Sequence, residues 1–231
     1  MTLGPGDGDG FLISVDSETG KPNFVFKCRK CYVSNPVGYD DLIIITTREI
    51  EKPREGSVKA VNASTGKLEW SYPIRSSLVP PTVHDGVLYF MEGPSRPNAA
   101  LAQSSETIIH GFDLKSQKIK WSFKAKGTFD TPAISDGVMF AASNRDYIYA
   151  IDLSTGTEKW RFKAEARNPS VRNGTVFFSD SSSLYAIDST SGALRWKTKI
   201  PGGVDQALAV SKSRVFFSSG NNRFHAVDAT S

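Results

Sequence analysis

Tyr147-Ile-Tyr-Ala-Ile-Asp-Leu-Ser-Thr-Gly-Thr-Glu-Lys-Trp160 is one copy of a pattern that recurs along the whole chain. Aligned on Ala150, Asp152, Gly156 and Trp160, the same four positions return at Ala60, Asn62, Gly66 and Trp70, and at Ala186, Asp188, Gly192 and Trp196. Two altered copies keep the frame: Gly111, Asp113, Gln117 and Trp121, and Ser14, Asp16, Gly20 and Phe24. A sixth begins at Ala226 and Asp228. The motif uses all 4 tryptophans of the protein, which assigns them to repeat packing rather than to a substrate site.

Successive tryptophans lie 51, 39 and 36 residues apart, a period that belongs to solenoids and propellers. Within a repeat, Val138 to Ser143, Tyr147 to Asp152 and Glu158 to Lys163 are short runs of aromatic and β-branched residues, with no helical periodicity between them. Each repeat therefore reads as about four short antiparallel strands, a propeller blade. The expected fold is an all-β propeller of four-stranded antiparallel blades, one domain over residues 1–231, with about five blades and a flexible segment at 1–10. Four full blades are expected from Val33 to Pro73, Val79 to Lys124, Thr131 to Lys163 and Pro169 to Lys199. A fifth starts at Gln206, and two strands, Phe11 to Asp16 and Asn23 to Lys27, precede the first. Asp85-Gly86, Asp136-Gly137 and Asn173-Gly174 supply tight hairpins between first and second strands, and Gly66, Gly156 and Gly192 do so between third and fourth.

Composition narrows the classes. With 28 basic and 24 acidic residues spread through every repeat, the surface reads as solvated, and nucleic acid is not an expected partner. No apolar run approaches the ~18 residues of a membrane-spanning helix, and Met1 to Gly10 shows neither the basic nor the apolar region of an export signal. Cys28 and Cys31 are the only cysteines. A C-x-x-C pair fits a redox dithiol, half a zinc site or a short disulfide. His84, His110 and His225 sit in three separate repeats, too dispersed to complete a zinc site, and no helix is visible to activate a thiol. The pair is read as structural, bridged or free.

Ala-x-Asp-x-x-x-Gly-x-x-x-Trp, followed by Asp-Gly ahead of an aromatic strand, resembles the tryptophan-docking repeat of the quinoprotein-like (pyrroloquinoline quinone repeat) β-propeller family. The resemblance covers nearly the entire chain. It implies docking of Trp70, Trp121, Trp160 and Trp196 on the glycine turns of neighbouring blades, seven or eight blades in a complete ring, and hence a segment of a longer propeller or one closed by association. Open blade edges would favour self-association. It also implies an extracytoplasmic setting, and two functional classes: binding scaffolds of BamB type, or dehydrogenases holding the quinone over calcium.

Strand alternation sorts the loops onto two faces. First-to-second and third-to-fourth turns are all tight. Second-to-third loops and blade crossings carry every irregular segment, including Arg48 to Gly56 and Glu92 to Thr107, and loops of such length are usually functional. The expected binding face therefore contains Arg48, Glu51, Arg54, Arg96, Asp130, Arg145, Arg167, Asp205 and Arg223, and is expected to take a protein, peptide or small ligand. No catalytic residue is assigned. For the enzyme alternative, Asp130, Asp146 and Asp205 each stand alone where calcium wants six to eight oxygens. Arg75, Arg145, Arg167 and Arg223 read as solvated cations rather than quinone ligands. Cys28 and Cys31 lack the adjacency of the dehydrogenase disulfide. No Ser/His/Asp frame stands out, and the three histidines read as strand residues.

Overall fold

The computed structural model describes residues 8–75, 77–93, 106–205 and 208–230. All of its regular structure is strand. Two strands come first, β1 (Gly10–Val15) and β2 (Pro22–Cys28). The first blade holds β3 (Cys31–Val33), β4 (Val37–Tyr39), β5 (Leu42–Glu49), β6 (Glu55–Asn62) and β7 (Leu68–Arg75). The second holds β8 (Thr82–His84), β9 (Val87–Glu92), β10 (Glu106–Asp113) and β11 (Lys118–Lys126). The third holds β12 (Ala133–Ser135), β13 (Val138–Ala142), β14 (Tyr147–Asp152) and β15 (Glu158–Lys163). The fourth holds β16 (Arg167–Arg172), β17 (Thr175–Ser179), β18 (Ser183–Asp188) and β19 (Leu194–Lys199). The last three strands are β20 (Ala209–Val210), β21 (Arg214–Ser219) and β22 (Arg223–Asp228). Strands pair in chain order within each sheet, the antiparallel meander expected of propeller blades. By compactness the chain forms two units, Met1–Asn98 with Thr107–Ser122, and Ala99–Glu106 with Phe123–Ser231.

The register explains the motif. The alanine of each complete copy lies directly across from its tryptophan: Ala60 from Trp70, Ala150 from Trp160, Ala186 from Trp196. Ser14 faces Phe24 in the same way. A small residue is required because the ring lies over it. In the second blade the fit is tighter still, since a Cβ on Gly111 would sit 2.5 Å from Cε2 of Trp121. A β-bulge follows the alanine in each of those three full copies, adding local twist.

The aspartate builds the turn that follows. Asp152 Oδ1 accepts from the backbone N–H of Ser154 at 2.9 Å and of Thr155 at 3.2 Å, while Gly156 N–H donates to the Asp152 carbonyl at 2.8 Å. Asp16, Asp113 and Asp188 repeat the arrangement. Asn62 substitutes with its amide oxygen, at 2.9 Å from Thr65 N. The closing residue adopts positive φ, +70° at Gly66, +72° at Gly156 and Gly192, and +54° at Gln117.

The tryptophans reach the next blade's turn inside the second unit. Trp160 Nε1 donates to the Ser189 carbonyl at 3.1 Å, and its ring lies 2.8 Å from where a Cβ on Gly192 would be. Trp196 Nε1 donates to the Ala229 carbonyl at 3.3 Å. Phe24 holds the corresponding place against Gly66 in the first unit. Between these contacts lie apolar layers: Ile44, Val58, Leu88, Phe90 and Phe112 in the first unit, and Phe140, Ile148, Val176, Phe178 and Ile187 in the second.

Two details differ from expectation. The first strand of the first blade is split into β3 and β4 by Ser34, Asn35 and Pro36, because proline cannot donate to the ladder. Arg167 and Asn168, expected in a crossing loop, begin β16. Arg167 pairs with Ser179, and the register slips before Ser170 across Asn168, whose φ is +52°, and Pro169.

Candidate functional site: the irregular face and its joints

Among the described residues, several blade crossings are tied to the loop between the second and third strands of a blade. In the first unit the crossing is the Cys28–Cys31 turn, closed by a disulfide. Lys30 takes φ +47° there. Its Nζ lies 2.5 Å from Glu51 Oε1, its carbonyl accepts from Ile50 N–H at 2.8 Å, and its N–H donates to Asp9 Oδ1 at 2.8 Å. Asp9 also pairs with Lys27 at 2.7 Å. The Lys27 hydrogen bond lowers the Asp9 carboxyl and the Lys30 hydrogen bond lowers that of Glu51, while Glu51 raises Lys30 in return. Arg48 stacks over Tyr32 at 4.9 Å from the ring centre, and Arg54 is exposed at the loop tip.

The second unit repeats this construction at three joints. Asp130 Oδ2 accepts from Asn168 N–H at 3.0 Å, which places Asp130 beside Arg167. Arg145 stands over Gly127, its Cβ 3.1 Å from where a glycine Cβ would be, and Asn144 N–H donates to the Thr128 carbonyl at 3.1 Å. Asp205 N–H donates to the Ser218 carbonyl at 3.0 Å, and Gly220 N–H to the Gly202 carbonyl at 3.1 Å. Arg223 is exposed at the start of β22. Arg96 lies outside the described residues. Three of the expected face residues thus make contacts at the joints, each with a different neighbour: Glu51 with Lys30, Asp130 with Asn168, and Asp205 with the Ser218 carbonyl. Among the described residues no three of His, Cys, Asp and Glu are grouped to hold a metal ion, so Asp130, Asp146 and Asp205 do not form the calcium ligand set that a quinone site would need.

Two features escape the sequence reading. A cavity of about 180 Å³ opens on the tight-turn side of the second unit, with Arg172, Arg195, Lys212, Thr175 and Trp196 in its lining. Arg195 there donates to Thr175 Oγ1 at 2.6 Å and to Asp188 Oδ2 at 2.7 Å. The other feature is in the first unit. His110 Nδ1 is 2.8 Å from Ser122 Oγ, His110 Nε2 is 3.4 Å from Glu92 Oε1, and Arg75 Nε is 3.6 Å from Glu92 Oε2. Burial pushes the Glu92 carboxyl up, but the facing His110 imidazole and the Arg75 backbone and charge outweigh it and hold the group below its ordinary value. The signal was available in the repeat: the residue before the motif alanine faces the residue after the tryptophan, Lys59 with Ser71 and Tyr185 with Lys197. His110 and Ser122 occupy those two columns in the second blade.

Residues 54–172 and 146–231 match the family model described as outer membrane protein assembly factor BamB. The chain belongs to this family. Solved structures of the same fold include BamB from Moraxella catarrhalis, at a TM-score of 0.59 and 14% identity over 96% of this chain and 79% of that one. A europium-containing methanol dehydrogenase superposes with a TM-score of 0.74 at 11% identity, over 96% of this chain and 64% of that one. A quinohemoprotein alcohol dehydrogenase from Pseudomonas putida HK5 superposes with a TM-score of 0.72 at 13% identity, over 97% and 55%. The chain spans less than two thirds of either dehydrogenase. Among curated proteins none matches. The BamB-family match and these likenesses agree on the pyrroloquinoline-quinone-repeat propeller fold. No helix among the described residues is long and apolar enough to cross a membrane.

Proposed function

We propose that this BamB-family chain is a binding module, rather than a quinone-dependent dehydrogenase, that takes a protein or peptide partner on its irregular face. The observation that carries the reading is the construction of the joints. Among the described residues, crossings are pinned to neighbouring segments by backbone hydrogen bonds and, at the Cys28–Cys31 turn, by the Lys30–Glu51 ion pair. Exposed charges are left on the irregular segments of each unit, Arg54 in the first and Asp205 and Arg223 in the second. A firm scaffold carrying spaced polar groups suits an extended macromolecular surface. A cofactor pocket instead needs groups converging on one point. The family model's description as an assembly factor favours a protein partner. The Cys28–Cys31 disulfide supports an oxidising, extracytoplasmic compartment.

The second reading, part of a quinone-dependent dehydrogenase of alcohols or sugars, is favoured by the two dehydrogenase superpositions. Titration with pyrroloquinoline quinone and calcium separates the two. The binding-module reading predicts unchanged tryptophan fluorescence and no dye reduction with alcohols or aldoses. Saturable quenching accompanied by turnover would replace it with the dehydrogenase.

A further inference from the structure

The described residues contain two serine–histidine contacts, and they differ in what the serine can do. Ser219 Oγ lies 2.7 Å from His225 Nε2, but Ser219 is buried, and its hydroxyl is also within reach of Asn221 Oδ1 and the Arg223 carbonyl. Ser122 is exposed on β11, and His110 behind it is 9% exposed. The imidazole is fixed by Phe90, ring centres 5.1 Å apart, and its far nitrogen faces Glu92 at 3.4 Å. That nitrogen is buried and has no partner of hydrogen-bond geometry. A histidine between an exposed hydroxyl and a half-buried carboxylate, with the carboxylate next to an arginine, is the arrangement that activates a serine. Long or poorly aligned bonds between such groups are common before substrate binds.

We propose that Ser122 is an activated nucleophile, relayed through His110 to Glu92, that reacts with small carboxylic esters. Ser122 Oγ attacks the ester carbonyl carbon and its proton passes to His110 Nδ1. The imidazolium so formed faces the Glu92 carboxylate through Nε2–H. The carbon–oxygen bond to the alcohol then breaks, and the alcohol leaves with the proton held on Nδ1. Water enters by the same route, its proton going to His110, and hydrolysis of the acyl-serine returns Ser122 and releases the acid.

The chain carries its own control. Ser71 holds the same repeat position in the first blade, exposed on its strand, but faces Lys59 Nζ at 3.4 Å instead of a histidine. The test treats the full chain with a fluorophosphonate probe and locates adducts by peptide mass spectrometry. Ser122 should be labelled faster than Ser71 by at least ~10²-fold, the scale of general-base assistance. p-Nitrophenyl acetate should give an acyl adduct at the same residue, and Ser122→Ala should abolish both. His110 is nearly buried, so His110→Gln is accompanied by Ser122→Cys, which leaves the packing intact. Its thiol should react with iodoacetamide faster than that of Ser71→Cys. Equal labelling of Ser122 and Ser71, or equal reactivity of the two cysteines, would overturn the proposal.

Discussion

Gly111 stands where other copies of the motif carry alanine or serine, and the reason is the ring of Trp121 lying against it. A methyl group there would meet Cε2 at 2.5 Å and Nε1 at 2.7 Å, contacts that only a shift of the ring or the strand can relieve. Overpacking of this kind costs about 1–3 kcal/mol. Gly111→Ala is therefore expected to lower the denaturant midpoint, while Ala150→Gly, which only empties space opposite Trp160, should lower it less. Chemical denaturation of the two variants checks this, and an unchanged Gly111→Ala midpoint would contradict the packing account. At the same scale, Gln117 shows what the repeat tolerates. It takes φ +54° in a place held by glycine in the complete copies, so the turn geometry is imposed by the aspartate cap and the register rather than by glycine alone.

The element that repeats is the hairpin from third to fourth strand, and its cap titrates. The carboxyls of Asp16, Asp113, Asp152 and Asp188 all lie below their ordinary value of 3.8, held there first by side-chain hydrogen bonds from Thr19, Ser116, Ser154 and Arg195 respectively. A carboxyl depressed in the folded state stabilises the fold above its unfolded pKa, and that contribution is lost as pH falls from about 4 toward the lower folded value. Several turns should weaken together in that window. Asn62 performs the same capping without a titrating group, so Asp152→Asn should keep the turn and remove its share of the acid sensitivity. Thermal melts at pH 7 and pH 3 measure it: the variant should lose fewer degrees between the two than the parent. An equal loss would show that the caps do not govern acid stability.

At the scale of the whole molecule, the fold was legible because the motif states its own register. Ala150 and Trp160 are cross-strand partners, and recurrence of that spacing places the third and fourth strands; β14 and β15 begin and end where the sequence predicts, and β19 ends there. First strands were harder to read. They are short and are interrupted, preceded or kinked by Pro36, Pro132 or Pro169, and β16 absorbs Arg167 through an irregular register that pattern alone does not reveal. The irregular face was legible as a set of loops, since strand alternation decides which loops share a side. Its joints were not, because the contacts of Asp130 with Asn168 and of Lys30 with Glu51 link residues 38 and 21 apart in the chain through turn geometry. Glu92, His110 and Ser122 lie on three strands, and only comparison of repeat columns across blades could have shown them to be neighbours.

Site-resolved photo-crosslinking in the native compartment tests the central claim most directly. Photoreactive residues placed at Arg54 and Asp205, exposed on the irregular face, are compared with the same residues at Ser154 and Thr190, exposed on the tight-turn side. The binding-module account predicts a discrete protein adduct from Arg54 and Asp205, with the same partner identified at both, and none from the turn positions. Adducts confined to Ser154 and Thr190 would contradict it and move the interaction to the side that holds the Arg172–Arg195–Lys212 cavity.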